Sequence, residues 1–96
     1  MYILDSGCTW HSHPRRGDII NVRPCDDRIA TADRADHSAT CIGTLPVLAY
    51  DSKGAQRFIL IANVRCVPFF TDTLISVDEL WQQSRFDIKD IREIHP

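Results

Sequence analysis

The stretch from Ala39 to Val67 constrains the fold more than any other part of the chain. Two β-leaning runs, Ala39 to Tyr50 and Arg57 to Val67, flank the segment Asp51-Ser52-Lys53-Gly54. Asp, Ser and Gly in that order are turn residues, the first two through local hydrogen bonds and the last through its tolerance of positive φ. Two such runs across one short polar turn predict an antiparallel hairpin. Gly43 and Pro46 break the first run, and Pro68 stops the second, because proline has no N–H to give to a ladder.

The remaining segments are short and also β-leaning. Tyr2 to Leu4 reads as a buried strand, and Arg28 to Ala32 alternates in polarity and reads as another. His11 to Gly17 is polar, contains Pro14 and Gly17, and reads as a loop; Asp33 to His37 reads as a turn. One helix is predicted, from Ser76 to Gln83. Ser76-Val77-Asp78-Glu79 fits a capping box, and Val77, Leu80 and Trp81 form an apolar stripe that would place Trp81 in the core. Arg85 to Ile88 alternates and is expected to add a closing strand. Many short strands with one late helix predict a mostly β fold, a small closed or nearly closed barrel, with residues 1–96 forming a single domain.

Composition narrows the function classes. A hydrophobic fraction of 44% is that of a chain able to build a core, not of a disordered one. The net charge is −2 and the basic residues are scattered, which argues against direct nucleic-acid binding and against an anionic membrane surface. The longest apolar stretch, Phe58 to Ala62, is too short to span a bilayer, and no signal-peptide pattern opens the chain. These features read as an intracellular, cytoplasmic protein. Cys8, Cys25, Cys41 and Cys66 include no C-x-x-C pair and are expected to be free thiols, several of them buried.

The chemistry points to the run Tyr2-Ile3-Leu4-Asp5-Ser6-Gly7-Cys8-Thr9. A strand gives rigid support, Asp5 supplies a carboxylate for general acid/base work, Ser6 or Thr9 can orient it, and Gly7 permits a tight turn and close approach of a second loop. The same triplet also suits an ordinary turn. There is one D-S-G in 96 residues, so a two-carboxylate mechanism requires a second chain, that is, a homodimer.

Several blocks carry a family resemblance. Asp5-Ser6-Gly7-Cys8-Thr9-x-His11 resembles the D-S-G-A-[ST]-x-H signature of copia-type retrotransposon proteases. Ile29 to Asp33 is similar to that family's V-x-x-A-D-G segment, Ile42-Gly43-Thr44 to G-I-G-T, Asn63 to Pro68 to N-V-L-Y-V-P, and Leu74 to Leu80 to L-L-S-V-S-Q-L. The resemblance runs from about Tyr2 to Ile88 with the blocks in order. It implies a retropepsin-like barrel within a Gag–Pol polyprotein, located in the virus-like particle of a retroelement. The implied activity is aspartic endopeptidase cleavage of the element's own polyprotein, without metal or other cofactor. Asp5 matches the catalytic aspartate, Ser6 and Gly7 its loop. The region from Asp33 to Gly43 is expected to form the substrate-covering flap, with Ala32, Asp33, Arg34, Ile42 and Gly43 as candidate substrate-binding residues. Three departures stand out: Arg34 replaces the flap glycine, Cys8 replaces alanine, and only four residues precede Asp5. The last is read as a missing N-terminal segment and predicts a weak dimer.

Other arrangements compete. The same barrel without activity would serve a structural or interaction role in a polyprotein. Cys8, His11 and His13 have C-x-x-H-x-H spacing but lack the second half of a zinc-finger pattern. Cys8 with His11 or His13 could form a thiol–imidazole nucleophile, although no orienting third residue is evident. Phe69-Phe70 could line a substrate subsite or plug the space beneath the helix, and Trp10 could anchor an interface.

Overall fold

The computed structural model of the protein describes residues 2–5, 7–30, 36–84 and 90–92. Among these residues, nine strands, a 3-10 turn at Arg16–Asp18 and one α-helix follow in the order β1 (Tyr2–Asp5), β2 (His11–His13), β3 (Ile20–Pro24), β4 (Arg28–Ala30), β5 (Asp36–Ser38), β6 (Cys41–Tyr50), β7 (Gln56–Cys66), β8 (Thr73–Ser76), α1 (Val77–Ser84) and β9 (Asp90–Arg92). Seven strands form one sheet. Its hydrogen-bonded path is β1-β8-β2-β7-β6-β3, with β9 joined to β6, while β4 and β5 form a separate hairpin. The fold is mostly β with one short helix, as expected. Among the described strands no ladder joins β1 to β3, so the sheet curls without the full hydrogen-bonded closure expected of it.

The β6–β7 hairpin is the spine. Tyr50 pairs with Gln56 across the turn, and Asp51 Oδ1 accepts the N–H groups of Lys53 and Ala55, both at 2.9 Å. Leu45, Val47 and Ala49 of β6 are buried while Pro46, Leu48 and Tyr50 are half-buried, the alternation of a strand with one face on the core. With Ile61, Val64, Ile75, Leu80 and Ile91 they make up most of that core. Pro46 is tolerated in the middle of β6 because it falls between the part paired with β3, up to Thr44, and the part paired with β9, from Leu48 onward.

Gly43 marks where the hairpin bends. The β6 ladder slips against β7 between Gly43 and Leu45, and β3 slips against β6 between Ile20 and Arg23. Each slip leaves an extra residue on the neighbouring strand, and each carries an asparagine at positive φ, Asn63 at 59° and Asn21 at 53°. Asparagine visits this left-handed region more readily than most residues, and such bulges increase strand bending. Between the two bulges there is no room for a side chain. A Cβ on Gly43 would lie 2.5 Å from Ile19 Cγ2 and 2.6 Å from the Ile20 carbonyl oxygen. Gly43 and Ile42 thus lie buried within β6 and not on the β4–β5 hairpin, which separates them from the cover they were expected to help form.

The structure departs from the sequence reading elsewhere too. His11 to His13 is a buried strand, not a loop. Its polar side chains concealed it, since pattern reading equates burial with apolar residues. Trp81 is 55% exposed and outside the core; among the described residues of α1 only Leu80 joins the core, and the exposed Gln83 ties the helix to β7 by bonding the Ala62 backbone. Phe69 is 74% exposed and stacks on His37 of β5 at 4.2 Å, with Phe70 edge-on at 5.4 Å. These rings support the β4–β5 hairpin instead of plugging the space beneath the helix. The predicted strand Arg85–Ile88 lies outside the described residues. Among the described residues, no helix is long and apolar enough to cross a membrane, and all four cysteines are free.

Candidate active site

Asp5 is the last residue of β1, which runs parallel to β8 with Asp5 opposite Ser76. A strand end gives the carboxylate a fixed origin, and the chain then turns sharply. Gly7 N–H donates to Asp5 Oδ1 at 2.8 Å, closing a local turn that orients the carboxylate. Gly7 is exposed and Asp5 half-buried, so the loop is presented at the surface. Ser6 lies outside the described residues, as do Ala32, Asp33 and Arg34.

The loop faces the start of α1 across an open cleft of about 350 Å³ lined by Gly7, Thr9, Trp10, Ser76, Glu79 and Gln82 among others. The helix start is set by Ser76, whose Oγ accepts the Glu79 N–H at 3.4 Å. The capping box is only half made. Ser76 N–H does not meet the Glu79 side chain but donates to His11 Nδ1 at 3.0 Å. Glu79 Oε2 is buried without a partner among the described residues. Burial therefore raises the Glu79 pKa, with Arg65 partly offsetting the shift.

His11 and His13 hold this region from below. His11 is fully buried, and burial, reinforced by the positive charge of Arg65, lowers its pKa to about 4. The ring is neutral, and the Ser76 bond requires an unprotonated Nδ1, which places the proton on Nε2. Gln83 Nε2, 3.5 Å away, is itself a donor and faces that nitrogen as a neighbour. His13 bridges Thr73 Oγ1 at 2.6 Å and Asp18 Oδ2 at 2.7 Å. Burial opposes charge on Asp18, but hydrogen bonds from His13 and Arg15 outweigh it and depress its pKa. The order of hydroxyl, imidazole and carboxylate has the form of a nucleophilic relay. Thr73 is 2% exposed, however, and its hydroxyl cannot meet a substrate.

These contacts bear on the thiol and metal arrangements. Cys8 donates its thiol hydrogen to the Trp10 carbonyl at 2.8 Å, and burial raises its pKa, reinforced by Asp5 and Glu79. This is the reverse of what an activated thiolate needs. His11 Nδ1 and both nitrogens of His13 face protein groups, and among the described residues no three His, Cys, Asp or Glu side chains converge in a way that could hold a metal. Of the arrangements weighed from the sequence, the Asp5 loop is the one presented at the surface.

Comparison with known families settles the wider class. A family model described as the beta-barrel domain of Pol polyproteins matches residues 2–86. The chain belongs to this family. No curated protein and no solved structure matches it. The Pol polyprotein beta-barrel domain thus carries its Asp-Ser-Gly loop at the end of β1, beside the helix-start cleft. The sequence alone pointed to Asp5. It did not point to His11 and His13 as the polar core beneath the cleft, because their partners are up to 65 residues away.

Proposed function

We propose that this Pol polyprotein domain is an aspartic endopeptidase of a copia-type retroelement, active as a homodimer on its own polyprotein. The observation that carries the reading is the Asp5 loop: a carboxylate on a strand end, oriented by Gly7 N–H and presented at the surface. Two such loops related by a twofold axis would bring two carboxylates together. Two close carboxylates do not both ionise readily, so one holds a proton and the pair titrates as a unit. The charged carboxylate takes a proton from water as the water oxygen attacks the peptide carbonyl carbon. The protonated one gives its proton to the carbonyl oxygen; as the tetrahedral intermediate collapses, the first carboxylate passes the proton it took from water to the amide nitrogen, the C–N bond breaks, and the second recovers a proton from a hydroxyl of the intermediate. The β4–β5 hairpin, with Ala32, Asp33 and Arg34 in its connecting segment, is the element suited to cover a bound peptide.

The test is cleavage of a polyprotein-derived peptide by purified protein, with and without pepstatin. Asp5→Asn keeps the size of the side chain and its ability to accept from Gly7 but removes the ionisable group. Cleavage should collapse while the circular dichroism spectrum stays mostly β. An Asp5→Asn variant that cleaves at the parental rate removes Asp5 from the mechanism.

A second reading is an inactive module with a structural or interaction role. It is favoured by Arg34, where the resembling proteases have glycine. Arg34→Gly distinguishes the two, since it should increase cleavage by an enzyme limited by its cover and do nothing for an inactive module.

A further inference from the structure

We propose that Arg65 is a positioning residue that couples the Asp5 loop to the base of the β4–β5 hairpin. The functional meaning of this link rests on the endopeptidase reading; the link itself stands on geometry. Arg65 lies on β7, opposite Ser12 of β2 and Ile42 of β6, and its side chain is only 12% exposed. Its Nε donates to Asp27 Oδ2 at 2.7 Å. Asp27 immediately precedes β4, and its carbonyl accepts the Ala39 N–H at 2.8 Å, which closes the hairpin at its base. The other end of the link is Trp10: the Arg65 guanidinium carbon sits 4.0 Å from the centre of its ring. Trp10 follows Gly7, Cys8 and Thr9 and forms a wall of the same cleft.

One planar cation therefore touches both a wall of the cleft and the base of the β4–β5 hairpin. Arginine suits this task because it can hydrogen-bond in its plane while stacking through its face. The position is not explained by core stability alone. Arg65 Nη1 is buried and has no acceptor among the described residues, and an unmade buried hydrogen bond is destabilising. A hydrophobic residue on β7 would avoid that cost but would lose both contacts.

The link predicts that the hairpin senses changes at Trp10, which it does not need to touch. Amide hydrogen exchange of the intact protein, without substrate, reads this directly. Arg65→Met, which keeps the aliphatic stem, should speed exchange at the β4 and β5 amides about tenfold and leave the β6–β7 core amides unchanged. Trp10→Ala should speed the same amides in the parent and add nothing in the Arg65→Met background. Asp27→Ala removes the acceptor, cuts the link from its half-exposed end and should repeat the Arg65→Met pattern even if Arg65→Met folds poorly. The proposal is overturned if hairpin exchange is unchanged, if it rises only in step with the core, or if Trp10→Ala acts equally in both backgrounds. An inactive protein that still shows the coupling would refute the endopeptidase reading and leave the link intact.

Discussion

Mild acidification should weaken this fold chiefly through His11. Its pKa falls from 6.5 to about 4 on folding, so the folded state holds it neutral and the unfolded state binds the proton first. Stability is then complete above pH 6.5 and is lost as pH falls toward 4. At about 1.36 kcal/mol per pKa unit the full loss is on the order of 3 kcal/mol, and about 2 kcal/mol of it is gone by about pH 5. That is a large share of the roughly 5–15 kcal/mol typical of a domain. The structural cause is the Ser76 N–H to His11 Nδ1 bond: a proton on Nδ1 would replace the acceptor with a second donor in a fully buried site. The assay is urea unfolding of the parent and His11→Asn from about pH 7.5 to about pH 5. Asparagine can still offer an oxygen to Ser76 but does not titrate. The variant should be less stable at about pH 7.5 by about 1–3 kcal/mol. Its loss of stability over the range should nevertheless be smaller than the parent's by about 2 kcal/mol. Carboxylates common to both proteins cancel in the difference. Parallel pH profiles would refute the assignment of the acid sensitivity to His11. If the domain is an aspartic protease, this residue also limits how acidic its working range can be.

Further outcomes follow from the same geometry. Gly43→Ala should destabilise by about 3 kcal/mol or more, at the upper end for overpacking, because its Cβ meets a backbone oxygen as well as Ile19; Ile19→Val should recover only part of this in urea unfolding. Glu79 has a raised pKa from burial, so its charged form is penalised at neutral pH and relieved as pH falls through the raised value. Glu79→Gln should therefore raise the unfolding midpoint at neutral pH, with a gain that shrinks as the solution is made acidic. On the proposed endopeptidase reading, cleavage per chain should fall on dilution as dimers separate, and sedimentation across the same concentrations checks this; undiminished activity where only monomer sediments would contradict a shared two-carboxylate site.

The hairpin, the helix start and the Asp5 loop were legible in the chain because each is a local pattern. Alternation over Leu45 to Ala49, the Asp51 turn and the serine before α1 depend on neighbours a few residues apart. The family resemblance, carried by short blocks in order, agrees with the matching Pol polyprotein beta-barrel family as far as a retroelement polyprotein domain; copia type and protease activity belong to the proposal. Three features were not legible. The strand His11–His13 is polar by composition and buried because its imidazoles find Ser76, Thr73 and Asp18 in the folded state. The glycine requirement at position 43 comes from β3 and the residue before it passing within contact distance, not from a turn. Ser76 N–H bonds His11 instead of Glu79, which converts an expected capping box into a pH-sensitive contact. In each case the deciding partner is distant in sequence. Local propensity carries no record of such partners, and only packing of the whole sheet sets which polar groups meet.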